Sequence, residues 1–311
     1  MTDDIDAAMG FAPDHDSPIP YMARTRAYYT AIGYTTPYRW AHHLAAPFTA
    51  LAKPLAHSRI AIITTAAPFQ PDKGDQGPGA AYNGSAKFYQ VYSQATAEPT
   101  DTRISHIGYD RKHTTATDQN AWFPLPALHR AAAAGRIGAV APHFFGAPTN
   151  RSHRVTIETD APEILTRCQA DAIDAAIIVP NCPVCHQTGS LTARHLEANG
   201  IPTVVMGTAK DIVEHAGVPR FLFSDFPLGN AAGRPHDVPS QDATLELALK
   251  LLESAIAPQT TVQNPLRWNA DGLWKNDYLN LEQIGTAELA RRRAEFDREK
   301  EKARLNRVAA A

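Results

Sequence analysis

The sequence is poor in cysteine, in long apolar runs and in charge of one sign. Three cysteines in 311 residues are too few for a scaffold held by disulfides. No run approaches the roughly 20 apolar residues that span a bilayer, and a formal net charge of −2 lacks the basic excess typical of nucleic-acid-binding proteins. The acidic N-terminal segment lacks the basic and apolar regions of a secretory signal. These absences predict a cytoplasmic protein that binds neither nucleic acid nor membrane.

Short runs of β-branched and apolar residues alternate with helical segments through the middle of the chain. The predicted strands are residues 58–65, 102–107, 137–141, 174–179, 203–206 and 220–224. The predicted helices are residues 124–134, 161–170, 190–199, 209–216 and 242–255. Because parallel strands need helical crossovers, this alternation predicts an α/β fold with a doubly wound parallel (Rossmann-like) sheet covered by helices on both faces.

Composition divides the chain into three regions. We predict an N-terminal arm with short helices over residues 1–57, an α/β catalytic domain over 58–257 and a C-terminal extension over 258–311. The extension contains a charged helix at about 287–307, expected to be solvated and supported by i, i+4 ion pairs; a partner-binding helix is the alternative. Aromatic side chains are expected to pack the arm onto the body or onto a neighbouring subunit of a homodimer. They are Tyr28, Tyr29, Tyr34, Tyr38 and Trp40.

Polar side chains follow the predicted strands at their carboxyl ends, where open parallel sheets bind their ligands. These side chains are the candidates for substrate binding. They are Thr64, Thr65, His106, Asp110, His113, Asn181, Thr208, Asp225 and Asn230. The polar loop that contains Asp110 and His113 is expected either to close over a ligand or to be an ordinary surface loop.

The strongest single element is a strand, a Cys-x-x-Cys pair and a helix in succession. Cys182 leaves a buried strand just before a helix, whose N-terminus lowers a thiol pKa and so favours the nucleophilic thiolate. Cys185 is placed to resolve a mixed disulfide or covalent adduct. His186 or His143 is predicted to transfer the proton. The four candidate catalytic residues are therefore Cys182, Cys185, His186 and His143.

Two other interpretations of the cysteine pair stay open. A zinc site normally needs four ligands and a second cysteine pair is absent, so His143 and His186 would have to complete it. An inert buried pair is the other alternative, and the lone Cys168 is expected to be a core residue. The sequence has no P-loop, no G-x-G-x-x-G opening a helix, no G-x-S-x-G and no H-E-x-x-H. No cofactor is firmly implied.

The cysteine segment resembles a known family. Residues 176–206 read AIIVPNCPVCHQTGSLTARHLEANGIPTVVM and are similar to the segment around the selenocysteine of selenoprotein B from glycine, sarcosine and betaine reductases and of the related D-proline reductase subunit. Residues 60–75, 123–138 and 226–230 resemble further stretches of that family, so the likeness covers roughly residues 58–255. Cys182 falls at the selenocysteine position and Cys185 at the next cysteine, whereas the third cysteine is replaced by Thr188.

The resemblance implies reductive cleavage of a substrate bond by a thiol. The family's larger reductases also use a pyruvoyl-bearing subunit, and nothing in this sequence shows such a partner. The expected function is a thiol-dependent reductase that cleaves a carbon–nitrogen or carbon–sulfur bond of a small molecule. An external dithiol, thioredoxin-like or small, would restore the pair, and Asn181, Thr64 and Thr65 would donate hydrogen bonds to developing negative charge. The alternatives are a metal-dependent lyase or hydrolase, and a redox carrier subunit of a larger complex.

Overall fold

A mostly parallel sheet forms the centre of the computed structural model, which describes residues 16–104, 106–149 and 152–309. The first 15 residues of the expected arm lie outside this range. In chain order the strands are β1 (Arg59–Thr64), β2 (Ala67–Pro68), β3 (Tyr92–Ala95), β4 (Thr102–Arg103), β5 (Ala139–Val140), β6 (His143–Gly146), β7 (Ala175–Val179), β8 (Thr203–Gly207), β9 (Arg220–Phe223) and β10 (Thr260–Gln263). The sheet order is β10-β9-β8-β7-β1-β6-β3. The short strand β5 pairs with the first residues of β1, and β6 pairs with its last residues.

Helices cover both faces of this sheet. In the described residues the helices are α1 (Tyr21–Ala31), α2 (Leu125–Ala133), α3 (Ala161–Ala170), α4 (Pro183–Ala198), α5 (Lys210–Ala216), α6 (Val238–Ser254) and α7 (Thr286–Ala309). Those that cover the sheet are α2 to α6. A helical turn, His153–Val155, and a π-helical turn, Thr156–Asp160, precede α3. Among the described helices, none is both long and apolar enough to cross a bilayer.

The central strands consist mainly of apolar residues because both of their faces are buried. Every residue of β7, β8 and β9 is buried, as expected for parallel strands between two helical layers. One face packs against α2 and α6, and the other packs against α3, α4 and α5. The predicted doubly wound α/β fold is therefore confirmed.

The structure corrects the sequence prediction at four places. In place of the single strand predicted at 137–141 there are two, β5 and β6. The strand predicted at 102–107 shortens to β4, which pairs antiparallel with β2 in a separate two-stranded ribbon. The edge strands β3 and β10 are absent from the prediction, because both are half exposed and mostly polar and lack a continuous apolar run. Helix α4 begins at Pro183 rather than residue 190, since proline is well suited to the first helical position.

A buried ion pair joins four segments at the amino ends of β8 and β9. The Glu197 carboxylate lies 2.8 Å from Arg220 Nη1, and both side chains are almost fully buried. The same carboxylate accepts hydrogen bonds from the backbone N–H groups of Thr203 and Thr49. The Arg220 Nη2 group donates to the Thr49 carbonyl oxygen. This charged network ties the segment before β1 to the end of α4.

We expect Glu197→Ala to lower the free energy of unfolding by about 3–5 kcal/mol, because it leaves the Arg220 charge buried without an anionic partner. Urea denaturation followed by circular dichroism measures the change. The control is Arg154→Ala, which breaks the exposed ion pair with Glu158 and should cost no more than about 1 kcal/mol. Equal losses in the two variants would contradict a structural role for the buried pair.

Candidate functional site

Cys182 and Cys185 form a disulfide where β7 passes into α4. Their Cα atoms are 4.8 Å apart. Cys182 is the N-cap of α4, and its sulfur accepts a hydrogen bond from the backbone N–H of Cys185 at 3.1 Å. When the pair is reduced, this hydrogen bond and the positive end of the helix dipole favour the thiolate form of Cys182. The site therefore lies at the carboxyl edge of the sheet, where the sequence places it.

The two sulfurs differ in their access to a cavity. Cys182 is 4% exposed and lines the cavity, whereas Cys185 is fully buried and does not line it. The cavity has about 60 Å³ of free space, room for roughly four water molecules. Its other walls include Tyr29, Tyr34, Tyr82, Lys87, Phe88 and His106. Only the Cys182 side of the pair can meet a molecule in this cavity.

His106 and Thr149 lie beside the cysteines. The Thr149 hydroxyl is 3.1 Å from Cys185 Sγ and 3.3 Å from His106 Nε2. Burial, reinforced by the charges of Arg111 and Lys87, lowers the pKa of His106 to about 3. The imidazole is therefore neutral at physiological pH, so one ring nitrogen donates a hydrogen bond and the other accepts one. In the described chain, the candidate metal ligands brought together by the fold are His106, Cys182 and Cys185.

His186 faces the backbone and not the sulfurs. Its Nδ1 lies 2.7 Å from the carbonyl oxygen of Cys182, and its Nε2 accepts hydrogen bonds from the N–H groups of Thr208 and Ala209. Nε2 is thus unprotonated. Nδ1 therefore carries the proton and donates a hydrogen bond to the carbonyl oxygen of Cys182. Burial lowers the pKa of His186 to about 4. These contacts make His186 a positioning residue that ties the first turn of α4 to the loop after β8.

The other polar residues at this edge are buried, and Asn181, Thr65 and Thr64 are hydrogen-bonded to one another. The backbone N–H of Asn181 donates to Thr65 Oγ1 at 3.0 Å, and its Nδ2 lies 3.5 Å from Thr64 Oγ1. Among the described residues, Asn181 Oδ1 and Thr208 Oγ1 have no hydrogen-bond partner. Asn181 directly precedes Cys182, so these two contacts hold the start of the cysteine loop against the end of β1.

Asp110 and His113 lie in a neighbouring cavity. The Asp110 carboxylate is 2.9 Å from His113 Nδ1, and Asp277 lies 3.5 Å from His113 Nε2. The hydrogen bond that His113 donates from Nδ1 to the Asp110 carboxylate raises the pKa of His113. This second cavity has about 320 Å³ of free space and shares Tyr82 and Ile107 with the cysteine cavity. The two cavities therefore adjoin.

Three other predicted residues are held elsewhere. Asp225 is paired with Lys275, and Asn230 donates from Nδ2 to the carbonyl oxygen of Pro227. His143 begins β6 and lies 3.0 Å from Asp171, which follows α3 at the amino edge of the sheet. The structure thus does not bring His143 to the cysteines, because β6 runs parallel to β1 and carries its first residue at the opposite edge.

Two residues beside the cysteines, Thr149 and Lys87, are absent from the predicted site. Thr149 follows β6 at its carboxyl end, so extending the predicted strand at 137–141 through Gly146 would have found it. Lys87 lies in an irregular loop, and no pattern marks it.

Helix α7 supports the outer walls of the cysteine cavity. The rings of Phe296 and Tyr34 lie 4.8 Å apart, and Asn306 Nδ2 donates to the carbonyl oxygen of Lys87. A side chain at Gly84 would meet the Glu299 backbone at 2.2 Å, so glycine permits the close approach of the loop. The expected charged helix is present, and it shields the site as well as facing solvent.

Curated relatives match about two thirds of the chain. D-proline reductase subunit gamma of Acetoanaerobium sticklandii is 27% identical over 206 residues, 66% of this chain and 82% of the relative. Glycine reductase complex component B subunit gamma of Carboxydothermus hydrogenoformans is 27% identical over 215 residues, and that of Peptoclostridium acidaminophilum 24% over 216. The chain spans about half the length of these two, 47% and 49%. No family model and no solved structure matches the chain. The resemblance seen in the sequence is confirmed.

We expect the His186→Gln variant to show a smaller loss of stability in acid than the wild type. Above a pH of about 6.5, the pKa of histidine in the unfolded chain, the imidazole is neutral in both states. As the pH falls from there towards 4, protons bind the histidine of the unfolded chain but not the buried one, so the folded protein loses stability. The loss for His186 is on the order of 3 kcal/mol. Urea unfolding at pH 7.5, 6 and 4.5 measures it; parallel curves for both proteins would contradict the assignment.

Phe296→Ala should raise the rate at which iodoacetamide alkylates reduced Cys182 by several-fold, because it removes a ring that supports the cavity wall. Intact-mass spectrometry at timed intervals measures this rate. Leu305→Ala is the matched control, since Leu305 lies on the same helix and is 55% exposed. If both variants react at the wild-type rate, α7 does not limit access to the site.

Proposed function

We propose that this chain is a thiol-dependent reductase component that cleaves a carbon–nitrogen or carbon–sulfur bond of a small molecule through Cys182 and Cys185. The observation that carries the proposal is the unequal access of the two sulfurs. Cys182 borders the cavity at the N-terminus of α4, and Cys185 lies buried behind it. This arrangement suits an attacking thiolate backed by a resolving thiol. The names of the relatives, subunits of D-proline and glycine reductases, support the reaction class.

In the proposed reaction, the Cys182 thiolate displaces the nitrogen or sulfur leaving group, which takes up one proton. The Cys185 thiolate then attacks the Cys182 sulfur. The carbon–sulfur bond of the adduct breaks, its electron pair stays on carbon, and the carbon takes up a second proton. The substrate gains two electrons and two protons, and the cysteines become a disulfide. Cleavage in this direction requires a carbon that can carry negative charge, such as one next to a carbonyl group.

The cavity walls favour a small substrate with an anionic group. Free space of about 60 Å³ admits only a few heavy atoms beside Cys182. Lys87 is the cationic side chain among the lining residues, and aromatic rings form much of the remaining wall. A carboxylate placed towards Lys87 would set the reactive carbon near the sulfur. Larger substrates would need the wall carried by α7 to move.

We assign proton transfer to His106 rather than to His186 or His143. His106 lines the same cavity as Cys182 and contacts Thr149, which in turn contacts Cys185. His186 has both ring nitrogens engaged by the backbone. His143 is held by Asp171 at the other edge of the sheet. The hydroxyl of Thr149 can therefore relay a proton between the resolving thiol and the imidazole.

An external dithiol of the thioredoxin type is the proposed electron donor, and a reducing compartment such as the cytoplasm is the proposed location. The relatives are named as subunits, which supports a protein partner for this chain. The same observation favours a second candidate function, that of a redox carrier that passes electrons to a catalytic subunit. A homodimer is also proposed. Turnover by the isolated chain distinguishes the enzyme from the carrier.

Cysteine variants test the reaction. D-proline, glycine and small thioethers are screened with dithiothreitol as reductant, and products are detected by mass spectrometry. With a substrate that turns over, Cys182→Ser should lower the rate at least about 1000-fold, because it removes the nucleophile. Cys185→Ser should accumulate a Cys182 adduct visible in the intact mass, because resolution is blocked.

Cys168→Ala is the matched control for both variants. Cys168 is fully buried in the core between α3 and the sheet, and burial raises its pKa to about 12. We expect its turnover to equal that of the wild type. Full turnover by Cys182→Ser would disprove the proposed mechanism.

A further inference from the structure

The fold brings together three side chains that bind soft metal ions. The ligand atoms of His106, Cys182 and Cys185 lie within 4.8 Å of one another, and both cysteines are buried. These residues come from two distant parts of the sequence, the loop after β4 and the start of α4. In the oxidised form the two sulfurs bond to each other, so neither is available to a metal. Reduction would release two sulfur ligands beside one imidazole.

We propose that the reduced protein binds one thiophilic divalent cation of the zinc class through Cys182, Cys185 and His106. A dithiol first reduces the disulfide: two electrons enter the sulfur–sulfur bond, the dithiol becomes a disulfide, and its two protons pass to the cysteines. The cation then displaces those two protons and binds both thiolates. Two thiolates balance the charge of the cation, so the filled site is neutral beside Lys87.

The distances suit tetrahedral coordination. Zinc–sulfur bonds of about 2.3 Å and zinc–nitrogen bonds of about 2.0 Å place ligand atoms roughly 3.5–3.8 Å apart. The three atoms lie within 4.8 Å, so the set closes by shifts of about 1 Å once the sulfurs separate. A Cys-x-x-Cys pair at a helix N-terminus is a common half of a zinc site.

The residues around the three ligands provide a hydrogen-bond donor to one thiolate and leave a fourth coordination position open. The Thr149 hydroxyl lies 3.1 Å from Cys185 Sγ and is placed to donate a hydrogen bond to that thiolate, as groups around metal ligands commonly do. The cavity beside Cys182 leaves the fourth coordination position open to water or to a small molecule. The site is thus formed in the reduced state and abolished in the oxidised state.

Metal binding would block the thiol chemistry, a consequence that rests on the proposed function. The cation would occupy both sulfurs, so Cys182 could no longer attack and the disulfide could not form. Zinc would then inhibit the reduced protein and protect it from oxidation, while the oxidised protein would not respond. The binding itself rests on the geometry of the three residues alone.

The test measures zinc and cobalt binding by the full chain under anaerobic conditions. Protein reduced with dithiothreitol is freed of reductant, mixed with Zn²⁺ and desalted, and its zinc content is determined by elemental analysis. We expect one zinc per reduced chain and none per oxidised chain. Co²⁺ should give a thiolate-to-cobalt charge-transfer band that Cys182→Ser and Cys185→Ser each diminish. Bound zinc should also prevent alkylation of both thiols until a chelator is added.

The histidine variants decide whether His106 is a ligand. His106→Gln should bind zinc at least about 100-fold more weakly, since loss of a supporting group alone costs 10- to 100-fold. His143→Gln, at the opposite edge of the sheet, should bind like the wild type. Circular dichroism and thermal melting check that each variant is folded. Zinc binding unchanged in His106→Gln, or equal in the oxidised protein, would overturn the inference.

The two proposals fail separately. A protein whose reduced cysteines turn over a substrate without binding zinc would overturn the metal site and leave the reductase intact. Zinc bound by the reduced wild type together with full turnover by Cys182→Ser would do the reverse.

Discussion

The contact on which the site depends is the hydrogen bonding of His186 at the start of α4. One ring nitrogen donates to the carbonyl of Cys182, and the other accepts from the loop after β8. These bonds fix the first turn of α4 relative to two central strands. The direction of the Cys182 sulfur, and hence its access to the cavity, follows from that fixed turn. A residue next in sequence to the cysteine pair thus acts on it through the backbone.

Burial separates the roles of groups that look alike in sequence. Cys168, Cys182 and Cys185 are all buried, but of the three Cys182 alone lines the cysteine cavity. His106 and His186 are both neutral at physiological pH because burial lowers their pKa values. Their surroundings differ: His106 faces side chains of the cavity, and His186 faces backbone groups. A group can react with a ligand only where its polar atoms are not already occupied by the fold.

The sequence was sufficient for the parts of the fold whose residues are buried on both sides. The apolar run of β7 and the cysteine pair that follows it predict the strand, the edge of the sheet and the position of Cys182. Edge strands β3 and β10 could not be predicted, since half-exposed strands carry polar residues. Lys87 and the orientation of His186 could not be predicted either. Each depends on which backbone groups meet in space, and spacing along the chain does not encode this.

Because helix α7 supports a wall of the cysteine cavity, the site is completed only after this late segment of the chain has been synthesised. The ribosome makes the cysteines more than 100 positions before this helix, and the other cavity walls are already translated by then. A nascent chain therefore carries its thiol pair without one of its covers until residues 286–309 emerge and dock. During that interval the pair meets cellular oxidants and stray thiols with less protection than in the finished fold.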